Sequence, residues 1–264
     1  MRFDAYAATI REAEFGHVAE AIATSVGGIL CKGKPMRRYA QTLQIDTGPR
    51  MAAWVGFDAQ SGAVYVEGKG ETSPQLARAI RVHFPVHSCA RADVCEDYDG
   101  EGSFEALQAT IRATKGLRVK GGYVALPDDV EDGRTWAAGV RGGTGYIRLY
   151  EAGKHPERVH LNRPNWVRAE GEFRPHYARD KQAASKMQPL ELWGLTAWTK
   201  SVGEALTQTP INRFEPEIRK YSYDKTSRYI FNTYRRHIEE MIANGEDLKR
   251  TAQAIWEEED SYKR

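Results

Sequence analysis

Two tyrosines and an arginine share one side of a short segment, GYIRLYEAGK, at residues 145–154. Alternate side chains of an extended strand face opposite ways, so Tyr146, Arg148 and Tyr150 lie on one face and two aliphatic residues lie on the other. Two interpretations are open. The face is either an ordinary ladder of polar side chains in solvent, or a site at which one tyrosine hydroxyl reacts.

Two further segments show the same alternation with charged residues. In ARADVCEDYD (residues 90–99) the shared face carries Arg91, Asp93, Cys95 and Asp97, and in WVRAEGEFRP (residues 166–175) it carries Arg168, Glu170, Glu172 and Arg174. If these segments are neighbouring strands, a single sheet face holds four carboxylates, several arginines and two tyrosines. The simpler interpretation of such a pattern is a solvated ladder of cross-strand ion pairs.

The residue types on this face predict a particular chemistry if it is a site. Oxygen ligands without paired histidines suit Mg²⁺ or Mn²⁺ better than Zn²⁺, and such an ion polarises a phosphoryl oxygen. A tyrosine hydroxyl has an ordinary pKa of about 10, and it becomes a usable nucleophile when a cation stabilises the phenolate. Together these groups indicate transesterification at a phosphodiester, with a covalent phosphotyrosine.

The chain that positions these residues has 264 residues, of which 41% are hydrophobic and 28% are charged. This composition predicts a globular protein with one large domain, or with a core and a smaller partner. We expect no membrane association, because no apolar run approaches the roughly 20 residues that cross a bilayer and the N-terminus lacks a signal peptide. Three cysteines, an odd number, favour a reducing cytoplasm over a disulfide framework.

Hydrophobic periodicity and turn residues predict a first region rich in strands. The predicted strands lie near residues 2–9, 38–46, 51–58, 62–68, 88–98, 118–126, 134–140, 144–151 and 164–174, and the helices near 11–25, 73–84 and 103–115. The order β-α-β-β-β occurs twice, which is compatible with a degenerate duplication, although the halves share no visible sequence identity. Mixed strands with helices on one face predict an α+β fold with a mostly antiparallel sheet.

From residue 176 the pattern becomes helical, with one helix predicted from Pro189 to just before Thr209. We therefore predict an α+β catalytic core over residues 1–175, with the nucleophile and an acidic metal site in 88–175. Residues 176–264 are predicted to form a helical region for DNA recognition or dimerisation.

The net charge of +2 conceals an uneven distribution of basic residues. A Gly/Pro loop at 31–39 contains four basic residues and no acid, and further arginines follow in the later strands and helices. Such clusters predict contacts with phosphates, although solvated loops and faces are the plainer interpretation. The candidate DNA-binding residues are Lys32, Lys34, Arg37, Arg38, Arg168, Arg174, Arg228 and Arg235.

The three polar segments, taken in order, resemble the replication-initiation-factor family. These proteins are rolling-circle initiators of Gram-positive plasmids and filamentous phages, with related mobilisation relaxases. The family pattern is an Arg-x-Asp-x-x-x-Asp strand, then an aromatic IR-I/L-Y-N/E-K strand, then a Trp-rich R-x-E-x-E strand. This chain matches it with Arg91, Asp93 and Asp97, then Arg148, Leu149, Tyr150 and Glu151, then Trp166, Arg168, Glu170 and Glu172. The segments VYVEGKGETSPQLARAI and QPLELWGLTAWTK extend the resemblance to about residues 40–205.

The resemblance implies that Tyr150 attacks one DNA strand at an origin, leaving a 5′-phosphotyrosine and a free 3′-OH for a polymerase. It also implies Mg²⁺ or Mn²⁺, held by acids at Asp93 or Asp97 and at Glu170 or Glu172. The family often has a lysine two residues after the tyrosine, where this chain has Ala152. Arg148 and Lys154 are the candidates for that positive charge, and Tyr146 is left a stacking or spacing role.

Origin DNA, duplex and single-stranded, is the expected partner of such a protein. No P-loop or Rossmann glycine pattern is present, so we expect a host helicase to act together with the host polymerase. The helical region has a second possible role, which is to form a homodimer. Two other functions stay open: a conjugative or mobilisation relaxase with the same chemistry, and a regulator that holds an origin without cutting it.

Two alternative sites are less well supported by the residues. A zinc site would use His83, His87, Cys89 and Cys95, whose positions on a helix end and a strand favour packing instead. A tyrosine recombinase would need a late tyrosine with two arginines and a histidine, and Tyr221, Tyr223 and Tyr234 lack that setting.

Overall fold

A computed structural model describes residues 1–34, 39–48, 50–116, 119, 121–125, 133–215, 233–237, 239–245 and 247. The chain divides into two compact units, Met1–Glu217 and Ile218–Arg264. The predicted boundary at residue 176 marks the point where strands give way to helices, and the first unit continues beyond it. In the second unit, residues 233–237 and 239–243 are helical. Among the described residues no helix is long and apolar enough to span a bilayer.

One ten-stranded sheet organises the first unit. Its strands are β1 (Arg2–Ile10), β2 (Ile29–Lys32), β3 (Gln41–Asp46), β4 (Met51–Asp58), β5 (Ala63–Lys69), β6 (His87–Asp99), β7 (Gly121–Ala125), β8 (Thr135–Gly139), β9 (Gly145–Tyr150) and β10 (Trp166–Phe173). Their order is β2-β3-β4-β5-β1-β6-β10-β9-β8-β7, and every neighbouring pair is antiparallel. The predicted α+β fold with an antiparallel sheet is confirmed.

Within the described part of the first unit, six helices cover the apolar face of this sheet. They are α1 (Phe15–Val26), α2 (Ser73–His83), α3 (Ser103–Thr114), α4 (Ala178–Lys186), α5 (Pro189–Leu192) and α6 (Ala197–Thr207). Val94 of β6, Leu149 of β9 and Phe173 of β10 are fully buried in the core that these helices cover. Because side chains alternate along a strand, burying these residues directs their neighbours to the opposite face of the sheet. Each such buried side chain stabilises the fold by about 1.5–3 kcal/mol.

The strand order reveals a duplicated topology. The elements β1-α1-β2-β3-β4-β5-α2 and β6-α3-β7-β8-β9-β10-α4 follow the same path, and the two repeats meet where β1 pairs with β6. Each repeat has four strands after its first helix. The predicted pattern had three, because the exposed edge strand Ile29–Lys32 shows no alternation that would identify it.

The single helix predicted from Pro189 is wrong. The chain forms α5, a 3₁₀ turn at Trp193–Leu195, and then α6, which Thr196 caps through the backbone N–H of Thr199. A side chain at Gly194 would lie 2.2 Å from the carbonyl oxygen of Asn212. The returning chain thus packs directly on this turn, and that tertiary contact overrides the helical pattern.

Candidate active site

The three polar segments are neighbouring strands, in the order β6-β10-β9. Their registers set the side chains of one face in rows across the sheet. The rows are Asp97–Arg168–Tyr150, Cys95–Glu170–Arg148 and Asp93–Glu172–Tyr146. The first repeat has no such set of charges at the corresponding place, because β4 and β5 carry the aromatic residues Trp54 and Tyr65 there.

Glu170 joins the tyrosine to an arginine. The hydroxyl of Tyr150 donates to Glu170 Oε2 at 3.4 Å, and Arg148 donates to Glu170 Oε1 at 2.5 Å. Glu170 is only 2% exposed, so this arrangement is shielded from bulk water. The Tyr150 contact is longer than an ordinary O–H···O bond, as catalytic hydrogen bonds often are before substrate binds.

Burial and the charge of Glu170 raise the pKa of Tyr150 to about 12, against the opposing effect of Arg168 and Arg158. The phenolate is therefore scarce in the free protein at neutral pH. Attack by this tyrosine requires a base that removes its proton and a cation that stabilises the charge left behind. Glu170 is placed to be that base.

A second cluster surrounds Arg168. Its guanidinium donates to Asp97 at 2.6 and 3.0 Å and to Asp4 at 2.9 Å, and Asp97 also accepts from Arg2 and from the indole of Trp166. Asp4 reaches this face because a bulge between Phe3 and Ala5 shifts the register of β1 against β6. Arg168 is 3% exposed, so the structure places this candidate DNA-binding residue inside a buried ion-pair network.

Asp93 and Glu172 share Arg91. Arg91 forms two hydrogen bonds with Asp93 and a salt bridge of 3.2 Å with Glu172, which Arg174 pairs on its other oxygen at 2.6 Å. Burial and the neighbouring carboxylates raise the pKa of Asp93 to about 6 in spite of Arg91. Burial alone would raise the pKa of Glu172 as well, but Arg174 and Arg91 lower it.

The four predicted metal ligands have the hard oxygen donors that Mg²⁺ prefers, but their oxygens are already engaged. Each of the eight oxygens of Asp93, Asp97, Glu170 and Glu172 faces an arginine, tryptophan or tyrosine donor. Within the described part of the chain, no three His, Cys, Asp or Glu side chains are grouped to hold a metal ion. The residues as arranged therefore do not fit a metal.

Lys154 points away from the tyrosine. Its Nζ pairs at 3.1 Å with Glu151, which also accepts three hydrogen bonds from Arg134. Arg134 and Lys154 lower the pKa of Glu151 to about 2, although burial opposes them. Of the two predicted basic neighbours, only Arg148 is thus brought to Tyr150.

Of the other candidate DNA-binding residues, the structure brings Arg174 to this face, through its pair with Glu172. Lys32 and Lys34 are exposed at the β2 edge, and six strand spacings of ~4.8 Å separate β2 from β10, roughly 29 Å. Arg174 is half-exposed at the end of β10. Arg235 is exposed and paired with Glu239 in the second unit. Arg37, Arg38 and Arg228 lie outside the described residues.

The structure does not assemble the alternative sites. The histidines of the zinc alternative are hydrogen-bonded elsewhere: His83 to Ser25, and His87 to Tyr6 and to the Phe84 carbonyl. Cys95 lies on the face of β6 opposite the buried core. Of the recombinase tyrosines, Tyr234 is exposed in the second unit, and Tyr221 and Tyr223 fall outside the described residues.

Sequence reasoning missed three residues of the site. Arg2 and Asp4 come from β1, and its bulge between Phe3 and Ala5 cannot be predicted from the alternation of side chains. Arg158 comes from the loop after Tyr150, and its guanidinium lies 6.0 Å from the centre of the Tyr150 ring and 5.2 Å from that of Trp166. A lone arginine in HPERVH carries no pattern signal, although its closeness in sequence to Tyr150 was a usable hint.

No family of known proteins matches the sequence, and no curated protein matches it. Among solved structures, a rolling circle replication initiator protein from Geobacillus stearothermophilus is similar, with 14% sequence identity and a TM-score of 0.49. The likeness covers 82% of this chain and 98% of that one. It is a distant likeness of overall outline, and it identifies none of the residues on the polar face.

Proposed function

We propose that this chain initiates rolling-circle DNA replication by nicking one strand at an origin with Tyr150. The observation that carries the proposal is the hydrogen bond from the Tyr150 hydroxyl to Glu170, with Arg148 on the other carboxylate oxygen. The resemblance of the three polar strands to the replication-initiation-factor family supports the same function.

The proposed reaction is a transesterification. Glu170 takes the proton of Tyr150 as the phenolic oxygen forms a bond to phosphorus. The bond from phosphorus to the 3′-oxygen breaks, and that oxygen takes a proton from solvent. The products are a 5′-phosphotyrosine and a free 3′-OH, which a host polymerase can extend. One phosphoester replaces another, so no external energy source is needed and the nick can be resealed.

Glu170 supplies the base in this proposal, and arginines supply the positive charge. Negative charge that develops on the phosphoryl oxygens is stabilised by fixed cations in a site from which water is largely excluded. Arg148 is the candidate closest to both the nucleophile and the base. Because it is 36% exposed, its guanidinium is also accessible to a DNA phosphate.

The divalent metal ion stays a prediction from the sequence. Binding Mg²⁺ or Mn²⁺ to Asp93, Glu170 or Glu172 would require arginines to leave those carboxylates. None of the steps above is assigned to the ion.

Recognition of duplex origin DNA is proposed to lie outside the polar face. Reading bases requires groups that reach a groove, and the strands of this face present none. The basic loop around Lys32 and Lys34 and the helical region after residue 176 are the candidates. A host helicase is proposed to unwind the duplex. A relaxase acting at a transfer origin would use the same chemistry.

The rival function is an origin-binding regulator that does not cut. The observation that favours it is the complete pairing of the carboxylates, which is also what a purely structural network would show. Covalent attachment separates the two. We expect the chain to form a DNA adduct that survives denaturation when incubated with single-stranded origin DNA, and Tyr150→Phe to form none.

Tyr146→Phe is the matched control, because Tyr146 lies on the same face of the same strand, opposite Glu172. It should retain the adduct. If Tyr150→Phe still forms the adduct, the nucleophile is another residue, and if the unmodified chain binds the origin but forms none, the regulator is the better assignment.

A further inference from the structure

Two arginine N–H groups beside Tyr150 are buried without a partner. Nε of Arg148 and Nη1 of Arg158 are inaccessible to solvent and have no hydrogen-bond acceptor within the described part of the chain. An unsatisfied buried donor costs free energy, about 1–3 kcal/mol and more for a charged group, so native structures rarely retain one without a reason. Here both orphan donors belong to cations that flank the same ring.

The two guanidinium groups are held at similar distances from the nucleophile. Their central carbons lie 5.9 Å (Arg148) and 6.0 Å (Arg158) from the centre of the Tyr150 ring. Arg148 is fixed by its ion pair with Glu170. Arg158 is fixed by stacking on Trp166, whose indole is itself held by Asp97.

The loop that carries Arg158 is also anchored. It leaves β9 through the 3₁₀ turn at Ala152–Lys154 and returns to β10 with a hydrogen bond from the Trp166 N–H to the Arg163 carbonyl. A side chain at Gly153 would lie 1.7 Å from that same carbonyl oxygen, so only glycine permits this closure. The position of Arg158 beside Tyr150 is thus built into the backbone path.

We infer that Arg148 and Arg158 form an anion site that binds the scissile phosphodiester in line with Tyr150. The inference rests on the proposed function and adds Arg158 as the second cation of its site. In this site the partly exposed guanidinium groups donate to non-bridging phosphoryl oxygens, and the two buried N–H groups become available as the entering phosphate displaces the side chains that cover them. Arg148 keeps Glu170 oriented through its other nitrogen, so the base and the phosphate are held by one side chain.

Arg158 also acts on the nucleophile, although burial and Glu170 keep the pKa of Tyr150 at about 12. The positive charge of Arg158 opposes the effects that raise the pKa of Tyr150. Arginine suits this role because its planar fork binds phosphate with two N–H groups and stays charged when buried.

The test compares Arg158→Gln with Arg163→Gln in the full chain. Arg163 also stacks on Trp166, at 4.8 Å, but it is exposed and paired with Asp99. Its loss therefore removes a charge of the same loop and one contact of Trp166, but no cation beside Tyr150. Inorganic phosphate is the probe, followed through the side-chain N–H resonances of the arginines by NMR. We expect phosphate to shift the signals of Arg148 and Arg158, and Arg158→Gln to weaken its binding roughly tenfold or more, since charge-assisted hydrogen bonds are lost.

A second measurement uses the nicking reaction, because phosphate binding alone does not show that the phosphodiester lies in line with the Tyr150 hydroxyl. Arg158→Gln should lower kcat for adduct formation at least as much as it raises KM, Arg158→Lys should recover part of the loss, and Arg163→Gln should match the unmodified chain. Equal phosphate binding and equal kcat in Arg158→Gln and Arg163→Gln would overturn the anion site. That result would leave the proposed function intact, which fails separately if Tyr150→Phe still forms the adduct. If Arg158→Gln does not fold, Arg158→Lys carries the same comparison.

Discussion

Tyr150 donates a hydrogen bond to Glu170 across the antiparallel pair β9–β10, at 3.4 Å. The two residues are diagonal neighbours, since Tyr150 is directly opposite Arg168 and Glu170 is directly opposite Arg148. The register of one strand pair thus brings a nucleophile, a base and two cations together. A shift of either strand by one residue would send its two site residues to the core face and separate them from the two residues of the other strand.

Glu170→Gln tests the base. The substitution keeps the size of the side chain and a hydrogen-bonding oxygen for Tyr150, but it removes the negative charge that accepts the proton. We expect nicking to slow by about 10²–10⁴-fold, the usual contribution of general acid–base catalysis. The affinity for single-stranded DNA should change little. Rates come from single-turnover cleavage of labelled DNA, and a variant that cuts at the original rate would exclude Glu170 as the base.

Arg168→Ala tests whether the buried network supports the fold. Removing this guanidinium takes the most buried partner from Asp97 and Asp4 and leaves them only the more exposed Arg2 as a shared partner. Breaking a buried ion pair costs about 3–5 kcal/mol, and we expect about 3 kcal/mol here because Arg2 remains. The free energy of unfolding, measured by urea denaturation, should fall by that amount. Arg163→Ala is the control, because its pair with Asp99 is exposed and worth about 0–1 kcal/mol. Similar losses in the two variants would contradict a structural role for Arg168.

The fold was more predictable from the sequence than the site. Alternation identified nine of the strands, and those with described side-chain burial have buried residues on one face or both. The strand that escaped, Ile29–Lys32, is an exposed edge without such a face. The polar faces of β6, β9 and β10 were visible for the same reason.

The pairing within those faces was not predictable. Which arginine neutralises which acid depends on strand order and register, which are non-local. The bulge that turns Asp4 toward Arg168 and the loop that returns Arg158 to Tyr150 leave no periodic signal. Arg168, which the sequence predicts to contact DNA, lies in a buried network because β1 pairs with β6.

His87 makes stability depend on pH. Its Nδ1 faces the Phe84 carbonyl at 2.7 Å, so Nδ1 carries the proton and Nε2 accepts from the Tyr6 hydroxyl at 2.8 Å. Burial lowers the pKa of His87. In the unfolded chain a histidine has a pKa of about 6.5. Below that pH the unfolded chain therefore binds a proton more readily than the folded chain does, and the free energy of unfolding should fall as the pH drops below about 6.5.

Thermal melts of the unmodified chain and His87→Gln between pH 5 and 8 measure the effect. The exposed His155 provides the control substitution, and equal pH dependence in all three proteins would refute the assignment.

The occupied carboxylates predict weak binding of Mn²⁺ by the free protein. Arg91→Gln leaves Asp93 without its two hydrogen bonds and removes one partner of Glu172, so it should bind Mn²⁺ more tightly than the unmodified chain. Electron paramagnetic resonance of free Mn²⁺ gives both affinities, with Arg174→Gln as a variant that frees only one oxygen of Glu172. Tight binding by the unmodified chain would show that the arginine pairs do not compete with a metal. Nicking in excess chelator then decides whether any metal is required.

The most direct measurement identifies the residue that becomes linked to DNA. The unmodified chain is incubated with single-stranded origin DNA, the adduct is digested with nuclease and protease, and the remaining nucleotide-bearing peptide is sequenced by tandem mass spectrometry. We expect a 5′-phosphodiester on Tyr150, in the peptide that contains YIRLYEAGK. A nucleotide on Tyr146, on a tyrosine of the second unit, or on no tyrosine at all would contradict it.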